Sequence, residues 1–220
     1  RIGYAGDPQP DRETLSELVR LHQLSIPFET VRMHRTGELP SLDTDVIFDL
    51  LVTQRLGGYC FEMNKLFEEL LATIGYDVRP ALSRVVRGRE GRMPINHRGV
   101  IVTLDDDMFS ADVGFGGPMP AGAIMLSSGD DQMIAGELYA AVRDDHAWWR
   151  IERVTQASAD LFDDEAPVRR QVELELCSAA VEDIDFDSMN MYFSAPGSLF
   201  RDHVLVNLRT PNGYLGMRDN

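Results

Sequence analysis

Two cysteines occur in the 220 residues, and one of them, Cys60, stands in the stretch RLGGYCFEMN at Arg55–Asn64. Two glycines and an aromatic precede it, and an apolar helical pattern follows at once. A sulfur at such a junction meets the backbone N–H groups that a first helical turn leaves unpaired, and the positive end of the helix dipole. Both favour thiolate over thiol, and the same N–H groups can hold the oxyanion of a tetrahedral intermediate formed at that sulfur. Serine would cap the helix better but is a far poorer nucleophile without strong activation. An inert packing cysteine is the competing reading, and the junction by itself leaves both open.

A catalytic thiol needs a base and a group to orient that base. Of five histidines, His22 falls in a helical pattern, His34 in a polar loop, His146 in a charged turn and His203 at the opening of a late strand. His97 differs, because it stands at the mouth of the most continuously apolar strand, Gly99 to Leu104. The next apolar run, Phe109 to Val113, carries Asp112 between Ala111 and Val113, where a carboxylate requires a partner. The connection is short enough for a hairpin that sets His97 and Asp112 on neighbouring strands, with the register left open.

Directly after Asp112 comes VGFGG, Val113 to Gly117, whose glycines let backbone approach a ligand closely. It lacks the lysine of a phosphate loop, and no βαβ unit follows to make it a dinucleotide fingerprint. No CxxC or HExxH occurs, so no metal site is expected, and Cys177 reads as a packing residue. Between Arg79 and Arg98 six arginines face the single acid Glu90. This stretch is either a solvated loop or the docking point of a small anion such as a phosphorylated cofactor.

The elements that must position these residues begin with helices. Leu15, Leu18, Val19 and Leu21 predict an amphipathic helix over 12–24, halted by Pro27. Val46, Ile47, Leu50 and Leu51 predict a second over 42–55, with Ser41 and Asp43 as caps. Met63, Leu66, Phe67, Leu70, Leu71 and Ile74 form the clearest stripe, closed by Gly75. After Tyr76 the texture turns to short strands: Val85-Val86, 99–104, 109–113, 137–142, 148–154, 171–176 and 204–208. Residues 155–167 read as loop, and Pro211-Asn212-Gly213 as a turn. Helices first and then a mostly antiparallel β region make an α+β plan.

Bulk properties narrow the function. A 44% hydrophobic share over this length is enough for one large domain or two modest ones. A net charge of −15 repels nucleic acid and anionic membranes as partners. No apolar run is long enough to span a bilayer, no secretory signal is visible, and two cysteines make no disulfide framework, so a reducing, cytoplasmic location is expected.

In order along the chain, RIGYAG, LHQLSIPFET, GGYCFEMN, NHRGVIV, ADVGFGG, VEDIDFDSMNMYFSAPGSLF and LRTPNGYLGM resemble segments of the arylamine N-acetyltransferases. The resemblance implies a catalytic triad of Cys60, His97 and Asp112 on a fold similar to papain-like proteins and transglutaminases. It implies a helical bundle over 1–78, a β-barrel over 79–182, and over 183–220 the start of an α/β lid that stops short of the family's further strands and closing helix. The implied reaction, a step of xenobiotic metabolism, is ping-pong transfer from acetyl-coenzyme A, through an acetyl-cysteine, to an arylamine, hydrazine or related amine. By the same resemblance Phe28, Phe61 and Phe115 line the acceptor pocket, with core packing as the competing role of each. Gly114, Gly116, Gly117, Ser198 and Phe200 flank the coenzyme.

Three departures stand out. Leu56 occupies the place of the family's usual arginine, with Arg55 one residue earlier, which leaves that arginine's ion pair with Glu29 open. Asn96 and Arg98 flank the base where a small hydroxyl residue and an apolar residue are usual. The chain ends at Asn220, short of the family's length, so coenzyme contacts from beyond that point are expected to be lost. Competing functions are an amide synthase of the same superfamily, a cysteine hydrolase with the same triad, and a non-catalytic binding protein.

Overall fold

The computed structural model describes residues 1–127, 129–145, 147–156 and 167–219. The first helix, α1 (Arg12–Ser25), starts where the Asp11 carboxylate accepts the Thr14 N–H at 2.8 Å. It stops before Pro27, whose ring cannot continue it. A two-residue strand, β1 (Phe28–Glu29), and a short helix, α2 (Val31–Thr36), follow. The helix expected over 42–55 divides. Asp43 caps α3 (Thr44–Phe48), which runs into a π-helical turn at Asp49–Thr53. Only Ile47 and Leu51 of this segment are buried, while Val46 and Phe48 stay exposed, so two anchors four residues apart hold it rather than a full stripe.

The central helix, α4 (Cys60–Ile74), buries Phe61, Met63, Phe67 and Leu71, and Gly75 ends it at φ 110° with its N–H on the Leu71 carbonyl at 3.1 Å. Its start is fixed by the paired glycines. Gly58 N–H donates to Pro27 O at 3.2 Å and Glu29 N–H to Gly58 O at 2.9 Å. A Cβ on Gly57 would lie 2.5 Å from both Pro27 O and Glu29 Cγ, so only glycine lets these segments touch.

Eight strands form one antiparallel sheet: β2 (Asp77–Val85), β3 (His97–Leu104), β4 (Asp107–Ser110), β5 (Ile124–Met125), β6 (Asp131–Ile134), β7 (Glu137–Asp145), β8 (Trp148–Gln156) and β9 (Val168–Cys177). Their order is β5-β4-β3-β2-β9-β8-β7-β6. The Gln132 side chain bonds both Met125 N and Met125 O at 2.9 Å, joining the two edges into a nearly closed barrel. Two cores result. Val100 and Val102 of β3 face the helices with Met63 and Phe67, whereas Ile101 faces the barrel interior with Trp149 and Leu174. Burial on both faces is why Val100 to Val102 of β3 form an unbroken apolar run.

Several boundaries differ from the sequence expectation. Val85 closes a strand that starts at Asp77, and β4 ends at Ser110 rather than Val113. β8 reaches Gln156; most of the loop expected over 155–167, and His146, lie outside the described residues. After a 3-10 turn (Asp183–Phe186), α5 (Asp187–Phe193) and α6 (Leu199–Asp202), the hairpin β10 (Leu205–Thr210) and β11 (Gly213–Arg218) turns at Pro211-Asn212. β10 pairs with β1, Phe28 opposite Asn207, which lays the C-terminal hairpin along the approach to α4.

Candidate active site

Cys60 is the first residue of α4, and β3 opens with His97. Asp112 lies two residues past β4. The Ala111 N–H still bonds Val100 O at 3.0 Å, and the next residue then turns inward. The result is a line of three buried groups: Cys60 and His97 share one cleft wall, Cys60 helps hold the proton on His97, and His97 Nε2 lies 2.5 Å from Asp112 Oδ2. With Nε2 engaged by the carboxylate, Nδ1 is the ring nitrogen left for the sulfur. Burial works to neutralise His97, but the Asp112 charge, its hydrogen bond and the contact with Cys60 prevail and hold the imidazole well above its ordinary value. Burial likewise pushes the Asp112 carboxyl up, and the His97 charge with bonds from His97, Asn64 and the Gly114 N–H brings it below the usual range.

Buried polar groups surround this line. Asn64, one turn beyond Cys60, bonds Asp112, Arg98 O and the Val113 N–H. Glu62 accepts the Tyr59 N–H at 3.2 Å and pairs with Arg32. Its burial, opposed by Arg32, raises its carboxyl to about 7. On α1, His22 lies edge-on to Phe67 at 5.5 Å, and burial lowers it to about 3.

Cys60 and His97 open onto a cleft of about 410 Å³ that Phe28, Phe115 and Phe200 line together with Gly114 and Gly116. That volume suits a small organic ligand. Arg87, Arg89 and Arg218 reach the same cleft, and no carboxylate lines it among the described residues. A thiol, a paired imidazole and a carboxylate beside an apolar cleft with a cationic rim can attack a carbonyl and carry an acyl group on sulfur.

Other expected residues fall elsewhere. Phe61 is fully buried, packed edge-on to Tyr59 and Phe186, because its position on α4 points into the core rather than towards the cleft. Ser198 caps α6 and donates to Phe193 O at 2.7 Å, away from the cleft lining. Gly117 lies against the Arg87 guanidinium in a small neighbouring cavity. The arginine stretch divides: Arg84 pairs with Glu175 and stacks on Trp148, Arg79 bonds Ser178 O, and Arg98 is buried between Glu68 and Asp183. Only Arg87 and Arg89 of the six line the cleft. Glu29 takes the Val31 N–H at 2.5 Å, and among the described residues no arginine pairs with it. Sequence reasoning passed over Asn64, although a polar residue four positions after the cysteine, inside the buried stripe of α4, was a visible signal.

Fold and site together define an α+β protein that sets a cysteine at the start of a helix against an antiparallel barrel carrying its histidine partner. A model of the N-acetyltransferase family matches residues 11–220. The arylamine N-acetyltransferase of Escherichia coli (strain K12) is 32% identical over 216 residues, covering 97% of this chain and 72% of that protein. The M. smegmatis arylamine N-acetyl transferase superposes with a TM-score of 0.87 at 28% identity, over 99% of this chain and 77% of that one. The Mycobacterium marinum arylamine N-acetyltransferase in complex with CoA gives 0.85 at 25% identity, over 99% and 78%. The chain belongs to the arylamine N-acetyltransferase family.

Proposed function

We propose that this protein transfers an acetyl group from acetyl-coenzyme A to an arylamine, hydrazine or related amine through an acetyl-cysteine on Cys60. The observation that carries the reading is the Cys60–His97–Asp112 line at the cleft wall. The Cys60 thiolate attacks the thioester carbonyl, and first-turn N–H groups of α4 face the developing oxyanion. The carbon–sulfur bond to the coenzyme breaks, and its departing sulfur takes the proton from His97. In the second half the amine attacks the acetyl-cysteine, neutral His97 removes the amine proton, and the Cys60 thiolate is released. Asp112 holds the ring orientation and offsets the imidazolium charge throughout.

Arg87 and Arg89 offer charge to the coenzyme phosphates, with Gly114, Gly116 and Phe200 beside it, while Phe28 and Phe115 suit a flat aromatic acceptor. Ser198 and Gly117 adjoin the cleft without lining it, and a free thiol nucleophile suits the reducing cytoplasm. Mass spectrometry of the protein mixed with acetyl-coenzyme A and no amine tests the reading. One acetyl group on Cys60, lost on adding an arylamine and never formed in Cys60→Ala, is the expected result. Wild-type protein that stays unmodified, or carries the acetyl elsewhere, overturns it.

A further inference from the structure

Asn64 occupies a position that physical chemistry assigns to an apolar residue. It lies one turn after Cys60, in line with Phe67 and Leu71 on the buried face of α4, and it is wholly inaccessible to solvent. A carboxamide there costs free energy unless its groups are bonded. They are. Nδ2 donates to Asp112 Oδ1 at 3.0 Å and to Arg98 O at 2.5 Å, and Oδ1 accepts the Val113 N–H at 2.9 Å.

These three partners come from the two segments that carry the rest of the site. Arg98 follows His97 on β3, and Val113 follows Asp112 on the loop. One carboxamide therefore joins the helix of Cys60 to the strand of His97 and to the loop of Asp112. It also sets the carboxylate's rotation: Asp112 Oδ1 is held by Asn64 and by the Gly114 N–H at 2.8 Å, which leaves Oδ2 for His97.

We propose that Asn64 is a positioning residue whose carboxamide fixes sulfur, imidazole and carboxylate in register, so that loss of its bonds impairs the thiol's reactivity beyond any loss of stability. This rests on the reading of Cys60, His97 and Asp112 as the reacting line. Without Asn64, Asp112 Oδ1 keeps only the Gly114 N–H, so the carboxylate is less firmly oriented, and β3 loses a tether beside the base. Misplacements on this scale lower rates by roughly 10²-fold.

The test is the pH profile of iodoacetamide alkylation at Cys60 in the wild-type 220-residue chain, Asn64→Ala and Asn64→Asp, with rates normalised to the folded fraction from circular dichroism. Asn64→Ala removes one donor that lowers the Asp112 carboxyl, so the acid limb of its profile moves to higher pH. His22, the other titratable group near Asp112, is held neutral to about 3 and does not confuse that limb. Asn64→Asp keeps the shape; once ionised it sets a second carboxylate against Asp112 and the Arg98 carbonyl, so its alkylation rate falls as pH rises.

Folded variants that keep the wild-type profile overturn the proposal, as does failure of both to fold, which assigns Asn64 to folding alone. If Asn64→Ala alone fails to fold, the Asn64→Asp profile decides. A wild type with the expected alkylation profile that forms no acetyl-cysteine overturns the acetyl-transfer reading and leaves this test intact.

Discussion

His97 Nε2 meets Asp112 Oδ2 at 2.5 Å, with both side chains shut away from water. The pair is charged although buried, because each group supplies the counter-charge that solvent no longer does. Replacing Asp112 by its amide isostere keeps the volume and removes the charge. Asp112→Asn is therefore expected to lower kcat/KM for acetyl transfer by about 10³- to 10⁴-fold. Steady-state kinetics would contradict this assignment if the variant kept more than about a tenth of wild-type activity.

Gly114 sits where the Asp112 loop crosses the start of α4. A Cβ there would lie 2.9 Å from Cys60 Cα and 3.0 Å from Asn64 Nδ2. Neither atom is the free end of a flexible chain, so the loop must back away from the helix. Gly114→Ala is expected to slow Cys60 alkylation at least roughly tenfold, since small shifts at the reacting groups have large rate costs. Unchanged alkylation would mean that the loop tolerates the shift.

What the sequence made legible was local. The stripe from Met63 to Ile74 and its closing Gly75 place Cys60 at a helix start, and the apolar run after His97 marks a strand covered on both sides. Pairing between distant segments was not legible. Two residues, Phe28 and Glu29, form a strand only because Leu205–Thr210 returns to lie beside them. The arginine stretch looked like one patch because sequence proximity hides two different placements: strand alternation on β3 sends Arg98 to the helix side, while Arg87 and Arg89 lie in the turn beyond β2, at the cleft. The place of Phe61 was hidden too, since adjacency to Cys60 does not put its side chain on the same face of the helix, and it packs against Phe186 instead.

Arg87 stacks 5.4 Å from the Phe115 ring at the cleft, beside Arg89, in a chain of net charge −15. Local cations in an acidic molecule concentrate an anionic ligand at this mouth. Substituting both by glutamine is expected to raise KM for acetyl-coenzyme A about 5- to 30-fold, the equivalent of one or two kcal/mol. Added salt should raise the wild-type KM as well. The effect should be smaller with an acetyl ester donor that carries no phosphate. Equal effects on both donors would remove the phosphates from the role given to these arginines.

His22 shows how burial sets a pH limit on the whole fold. Desolvation, helped by the Arg1 charge and opposed by Asp112, lowers it to about 3, and its Nδ1 has no hydrogen-bond partner among the described residues. An unfolded chain binds a proton at this side chain once pH falls below about 6.5, whereas the folded protein does not until about 3. Between those values the unfolded state gains protons and stability falls with decreasing pH, by about 1.4 kcal/mol per unit. At pH 5 the loss from this one group is about 2 kcal/mol. His22→Phe keeps a ring against Phe67 and cannot take up the proton, so its stability should fall less between pH 7 and pH 5 than that of the wild type. Urea unfolding at the two pH values reads the difference directly, and an equal decline in both proteins would show that His22 is already charged, or already exposed, in the folded state.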